Sequence, residues 1–365
     1  MTVKRVGMVV HGGHPEAVAA AGTVREWSAE HGIACKDIDV WADGGRHSAR
    51  QEVAAAGDPD LVVTLGGDGT FLRGARLAAA ADALVLGVDL GRVGFLTEVP
   101  MTEVRSALDA VHEGRLDVEE RMLLTMRASR RLEVPADIEA LMRYGRGPLL
   151  PPTSVRPDCE TGGEWGVPLD VAALNDVVLE KLARDRQISV GVYISGRLLA
   201  SYSADALLVA TPTGSTAYSF AAGGAVVSPR AEVLVFTPVA PHMTFNRSVV
   251  AAPDEPVGMR ILERSGRAAV SIDGQVRGVI GPGDWVGVYA SPPQAARRTA
   301  RPDGLLRPAA RAPEPDRRAG GGRRRHARPS VAGEQPSAGR PGPPRHAAKP
   351  GRAALTRWRL SGRGT

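Results

Sequence analysis

Along the first hundred residues the apolar positions fall into two kinds of run. Val6–Val10, Ile38–Trp41, Leu61–Leu65 and Ala83–Val88 are short and continuous, the pattern of strands buried on both faces. Between them, Pro15–Glu30, Ser48–Ala56 and Phe71–Ala81 space their apolar residues as helices do, and Gly32 suits the end of the first. Strands that alternate with helices predict an α/β domain: a parallel, Rossmann-like sheet with helices on both faces.

After about Glu119 the texture changes. Met122–Ala128, Val177–Glu180, Ile188–Ile194, Ala206–Thr211, Ala268–Ile272 and Trp285–Tyr289 read as short strands separated by Gly, Pro and Asp turns. A β-rich second domain is expected. Val134 to Pro168 holds six prolines and reads as a long surface insertion between two strands. From about Pro292 the pattern stops. The last 72 residues contain 10 Pro, 10 Gly and five Leu, Ile, Val or Phe. Such a segment buries too little apolar surface to offset its ordering entropy, so a disordered tail is expected. The organisation expected is therefore 1–118 α/β, 119–293 β-rich with an insertion at about 134–168, and 294–365 tail.

Composition alters this picture in one respect. Hydrophobic residues make up 43% of the chain and charged residues 24%, ordinary values for a folded protein. The net charge of +6 and pI near 9.7 invite a nucleic-acid reading. Yet residues 294–365 hold 18 Lys/Arg against four Asp/Glu, leaving 28 basic and 36 acidic residues for the body. The body is mildly acidic, and the tail's arginines have no aromatic platform beside them, so no specific nucleic-acid partner is expected. The Arg/Pro/Gly/Ala bias of the tail matches what a GC-rich gene yields in a shifted reading frame. An altered frame near residue 293 is one account of it, a genuine basic tail the other. Two cysteines, Cys35 and Cys159, do not make a disulfide framework. The start Met1-Thr-Val-Lys-Arg reads as a first strand, not a signal peptide, and no apolar run approaches the ~18 residues of a membrane span. A cytoplasmic protein without membrane attachment is expected.

Chemistry concentrates in a few loops. Gly66-Gly67-Asp68-Gly69-Thr70 lies between a buried strand and a helix, where open α/β sheets place ligands. Glycines there admit a phosphate to the backbone, and the helix N-terminus offers free N–H groups. A carboxylate such as Asp68 repels phosphate unless it holds a metal or takes a proton from a hydroxyl nucleophile. The alternative is a turn in which Asp68 only caps the helix. No Walker-type loop, zinc cluster or serine-nucleophile elbow is present. His11 and His14 read as turn residues.

The second loop, Thr211–Gly224, gathers hydroxyls and Tyr218 after an apolar strand. It could bond phosphate or ribose and stack a base, or be a solvated turn. Asn175 could pair with an adenine edge and Asp176 accept from ribose hydroxyls. Asp205 and Ser271–Gln275 complete the set.

Taken together, Leu65–Arg73 (LGGDGTFLR), Leu86–Glu98 (LGVDLGRVGFLTE), Leu174–Glu180 (LNDVVLE), Asp205–Gly224 (DALLVATPTGSTAYSFAAGG) and Ser271–Gln275 (SIDGQ) resemble the NAD kinase family. GGDGT alone is shared with lipid kinases; the long TPTGSTAYSFAAGG stretch is far more specific. The resemblance implies an α/β domain followed by a β-rich domain. It implies transfer of the terminal phosphate of ATP, or of polyphosphate, to the 2′-hydroxyl of the adenosine ribose of NAD. A divalent cation, usually Mg2+, and a homodimer or homotetramer are implied with it. By resemblance, Asp68 is the general base, with Gly66, Gly67, Gly69 and Thr70 forming the phosphate loop. NAD is contacted by Asp68, Gly69, Arg73, Asn175, Asp176, Arg186, Asp205, Thr213, Thr216, Ala217, Tyr218, Ser219, Phe220, Ala221, Ala240 and Gln275. Three features depart from the family pattern. Asp176 stands where many members have Glu, Ala221 where others present Ser, and the tail replaces an ordered closing segment. A lipid or sugar kinase on the same loop, or a non-catalytic nucleotide sensor, are the competing functions.

Overall fold

The computed structural model describes residues 3–40, 48–89, 94, 96–97, 99–138, 166–182, 186–291 and 353–358. The chain divides into two compact units, residues 1–307 with 352–365, and residues 308–351; the second lies outside the described residues.

The first unit begins as an α/β layer. In order come β1 (Arg5–Val10), α1 (Pro15–Glu30), β2 (Ala34–Asp37), α2 (Ala49–Ala55), β3 (Leu61–Leu65), α3 (Asp68–Ala81), β4 (Leu84–Asp89), β5 (Val99–Pro100), α4 (Val104–His112) and β6 (Leu116–Arg121). β1 pairs in parallel with β2 and β3, and β3 with β4. Side chains alternate across this sheet. Leu61, Val63 and Leu65 pack with Trp27 of α1 and Leu108 of α4, whereas Val62 packs with Phe71 and Leu77 of α3. Burying each such side chain is worth about 1.5–3 kcal/mol, which accounts for helices on both faces.

The β-rich part contains β7 (Leu124–Ala128), β8 (Val167–Pro168), β9 (Asp176–Lys181), β10 (Ile188–Ile194), β11 (Arg197–Ala204), β12 (Ala206–Ala210), β13 (Leu234–Val239), β14 (Val249–Ala251), β15 (Val257–Ile261), β16 (Ala268–Ile272), β17 (Gln275–Ile280) and β18 (Trp285–Ala290). They form two six-stranded sheets, in the orders β11-β10-β15-β18-β7-β8 and β14-β13-β12-β9-β16-β17. Met126, Val190 and Val288 of the first share one core with Leu179, Val209 and Phe236 of the second. The pairings within these two sheets are antiparallel, and two-residue turns join β10 to β11 and β16 to β17.

Several expectations need correction. The second strand is Ala34–Asp37, not Ile38–Trp41. An edge strand needs only backbone pairing, and the apolar Ile38 and Val40 are buried beside α2 and α3 instead. The third helix opens at Asp68, three residues before Phe71, so the glycine-rich loop is partly the helix's first turn. Within the tail, Ala353–Trp358 is a strand, β19, between β4 and β6 in the first sheet. Its Leu-Thr-Arg-Trp run has the β propensity the rest of the tail lacks. The remaining tail residues, Cys159 and the insertion between 139 and 165 lie outside the described residues. The insertion's two ends are described: β7 pairs with β8, so the chain leaves and rejoins one sheet edge. Among the described residues no helix is long and apolar enough to cross a membrane.

Candidate functional site

β3 is buried along its length and ends at Leu65, at the carboxyl edge of the parallel sheet. The chain then reverses through Gly66 and Gly67 into α3, with Gly67 at the N-cap (φ −83°, ψ −172°) and Asp68 as first helical residue. The glycines do different jobs. A Cβ on Gly66 would lie 2.3 Å from Thr70 Oγ1, so the fold itself needs that glycine. Thr70 is buried. Gly67 and Gly69 are exposed, and a Cβ on either meets nothing within 4 Å. Their bareness leaves room on the solvent side, as a phosphate approaching the backbone needs.

Asp68 is half-buried and held from the opposite side. Its Oδ1 accepts from the backbone N–H of Leu96 at 3.2 Å. Gly94 lies so close that a Cβ there would stand 2.2 Å from Asp68 Oδ1 and 2.9 Å from Thr97 Oγ1. Asp89 Oδ2 accepts from Gly94 N at 3.0 Å and fixes this approach. Thr97 is buried, and its hydroxyl has no hydrogen-bond partner among the described residues. Gly94, Leu96 and Thr97 were not among the expected site residues. They lie in the quoted segment Leu86–Glu98, but only folding brings them onto Asp68.

Arg73, one turn into α3, is 8% exposed, and its Nη1 donates to the Val40 carbonyl at 3.3 Å. Burial, then the neighbouring Arg76, lowers its pKa. Leu174 packs in the same cluster as Phe71 and Ala75 of α3, which fastens the Asn175 turn to the helix that begins at Asp68.

That turn is organised by Asp273. Its carboxylate accepts from the backbone N–H groups of Leu174 (2.9 Å), Asn175 (2.7 Å) and Asp176 (3.1 Å). Asp273 (φ +48°) and Gly274 (φ +73°) form the two-residue turn between β16 and β17, with Gln275 opening β17. Asp176 is 4% exposed; burial, then Asp273 and Glu180, push its pKa up to about 7. Burial raises Asp273 to about 6 against the pull of its three N–H donors. Asp273 had been quoted only within SIDGQ. An Asp-Gly pair between two apolar runs is the sequence signal for its turn.

The Thr211–Gly214 loop meets Asn175 backbone to backbone. Thr211 N donates to the Asn175 carbonyl at 2.9 Å, Thr211 Oγ1 donates to the Leu174 carbonyl, and a Cβ on Gly214 would stand 1.9 Å from that Asn175 oxygen. Most hydroxyls of the loop serve the loop itself. Ser215 Oγ bonds the Pro212 carbonyl at 2.7 Å, Thr216 Oγ1 bonds the Thr213 carbonyl at 3.2 Å, and Ser219 Oγ lies 3.0 Å from Thr237 Oγ1. Thr213 is buried, its Oγ1 3.5 Å from Arg121 Nη1. By contrast Tyr218 is 40% and Phe220 60% exposed, and Ala217 and Ala221 flank them. Burial, then Glu180, Asp176 and Asp205, raises the Tyr218 phenol. Asp205 is paired with Lys181 at 2.7 Å, and its N–H donates to Val239 O at 3.0 Å. Gln187, next to the exposed Arg186, donates to the carbonyl of Ala240 (φ +46°) at 3.2 Å. The fold thus gathers Asn175, Asp176, Thr213, Tyr218, Asp205 and Gln275 around one turn, with Arg186 and Ala240 joined through Gln187.

Among the described residues no group of three or more His, Cys, Asp or Glu side chains could hold a metal ion.

Two family models match the chain: ATP-NAD kinase N-terminal domain over residues 6–116 and ATP-NAD kinase C-terminal domain over residues 174–297. NAD kinase 1 of Streptomyces coelicolor is 80% identical over 292 residues, 80% of each chain. NAD kinase 1 of Streptomyces avermitilis is 75% identical over 292 residues, 80% of this chain and 82% of that one. Among solved structures, yeast NADH kinase complexed with NADH superposes with a TM-score of 0.58 at 21% identity, covering 80% of this chain and 81% of that one. An NAD kinase from Archaeoglobus fulgidus in complex with ATP gives 0.53 at 21% identity, covering 79% and 89%. The last two share the fold: a parallel α/β layer followed by an antiparallel β-rich part.

Proposed function

The chain belongs to the NAD kinase family and transfers phosphate to NAD, and we propose that Asp68 is the general base of that transfer. ATP is the phosphoryl donor in this reading, in keeping with the family description. The 2′-oxygen of the adenosine ribose attacks the terminal phosphorus, the bond from phosphorus to the ADP oxygen breaks, and the hydroxyl proton passes to the Asp68 carboxylate. Supporting this is the position of Asp68 between two open glycines, its carboxylate held by Leu96 N–H. Gly67 and Gly69 admit the donor's phosphates to the N-terminus of α3, where aligned peptide dipoles favour negative charge. A divalent cation, expected to be Mg2+, would supply charge neutralisation to those phosphates.

The dinucleotide is assigned to the turn built on Asp273. Asn175 offers its amide to the adenine edge, the exposed Tyr218 ring a stacking face, and Asp176 and Asp205 acceptors for ribose hydroxyls. The buried hydroxyls of Thr211, Ser215 and Ser219 hold the loop rather than the ligand. The lipid-kinase, sugar-kinase and sensor readings are not favoured beside 80% identity to an NAD kinase. A cytoplasmic homo-oligomer belongs to the same proposal and rests on the resemblance.

Incubating the full chain with ATP, Mg2+ and NAD should yield NADP. A folded protein that gives none, or that gives product only with a lipid or sugar acceptor, overturns the activity. Equal turnover by wild type and Asp68→Asn overturns the base. Replacing ATP with polyphosphate in the same assay identifies the donor.

A further inference from the structure

Away from the glycine loop, the seam between α3 and the edge strand β17 holds an unexplained charge. Arg277, on β17, is 6% exposed, and its Nε and Nη1 are buried without a hydrogen-bond partner. Close enough to repel it is Arg76, on α3 two turns past Asp68, whose Nε is also buried without a partner among the described residues. Arg76 Nη2 pairs with Glu52 of α2. Three guanidinium groups, Arg73, Arg76 and Arg277, thus act on one carboxylate, Glu52, with the half-buried Asp170 as the other acidic group acting on Arg277. Burial, reinforced by Arg76, lowers the Arg277 pKa to about 9.

Folded proteins leave few buried donors unmet, and an uncompensated buried cation is costlier still. We propose that Arg76 and Arg277 form an anion site that takes a single phosphate group in this seam. Three guanidinium nitrogens, Arg277 Nε and Nη1 and Arg76 Nε, are without acceptors among the described residues, and an arginine fork matches phosphate oxygens in geometry and charge. A water molecule would supply acceptors but no charge. Because Arg76 is on the helix that opens with Asp68, a bound phosphate would tie the β-rich part to the catalytic helix.

The full chain is melted in inorganic phosphate and in chloride at matched ionic strength. Wild type should gain Tm with phosphate, saturably. Arg277→Met, which removes the uncompensated cation, should melt higher than wild type in chloride and bind phosphate at least about tenfold more weakly. Arg277→Lys keeps the charge but not the fork; it should fold and show a reduced phosphate shift, which keeps the test open should the Met variant fail to fold. Wild type melting alike in both salts, the result for a seam filled by water, overturns the proposal. So does a full phosphate shift in Arg277→Met, which would locate the anion elsewhere. ATP titration separates the sources. ATP binding unchanged in Arg277→Met marks a free phosphate, and ATP binding weakened in parallel marks a phosphate of the nucleotide.

Discussion

Gly94→Ala tests whether the precise position of Asp68 sets the rate. The new Cβ would lie 2.2 Å from Asp68 Oδ1, about 1.2 Å inside ordinary contact. Asp68 cannot yield without lengthening its bond from Leu96 N–H, and Gly94 cannot retreat without stretching its own bond to Asp89. Overpacking of this kind costs about 1–3 kcal/mol of stability, so the protein should fold but melt lower. Displacing a reacting group by about 1 Å can cost about 10²-fold in rate. We therefore expect kcat to fall about 100-fold with the KM for NAD little changed, since Asn175 and Tyr218 lie on other loops. Gly67→Ala is the matched control. Its Cβ meets nothing within 4 Å, so Tm should hold while the KM for ATP rises, because the methyl occupies the space left for phosphate. The assay is steady-state NADP formation with both substrates varied, beside thermal melts. Wild-type kcat in a folded Gly94→Ala protein would refute the reasoning, and so would a Gly67→Ala enzyme that loses stability but not activity.

Three further expectations follow from the same geometry. Asp68→Asn, at the half-buried start of α3, should lower kcat by about 10²–10⁴-fold with an unchanged melt. Asp176 and Asp273, raised to about 7 and about 6 from the usual carboxylate value of 3.8, bind protons more tightly folded than unfolded. Stability of the unliganded protein should therefore fall as pH rises from about 4 to about 7. Urea midpoints against pH measure this, and Asp176→Asn should flatten the slope; a rising midpoint over that window would contradict the assignment. Tyr218→Ala should raise the KM for NAD about tenfold or more and Tyr218→Phe much less, because the exposed ring supplies a face rather than its hydroxyl. Equal effects of the two substitutions in steady-state kinetics would remove the stacking role.

Much of this was legible along the chain. Leu61–Leu65 is a continuous apolar run because it is buried on both faces, and a pattern of that kind survives without coordinates. Gly66–Thr70 marks itself by composition, and its place between strand and helix follows from the periodicity around it. The errors were local. Ile38 and Val40 look like a strand because they are apolar, but they are apolar to fill the space beside α2 and α3. The hydroxyls of Thr211–Ser219 cluster in the sequence, and only the structure shows that Thr211, Ser215 and Thr216 also donate to backbone carbonyls of their own and a neighbouring loop.

Local pattern alone determined the alternation of strands and helices in the first hundred residues, the change to a β-rich part after them, the acidic body with its basic tail, and the loops that hold the chemistry, because periodicity and glycine placement are properties of neighbours in sequence. Tertiary structure alone decided which distant groups meet. Asp273 reaches back nearly a hundred positions to three backbone N–H groups, Gly94 comes against Asp68, and Arg277 is buried beside Arg76. Hydrogen bonds and charges act over a few ångströms of space regardless of separation along the chain, so their partners exist only once the two parts have packed together.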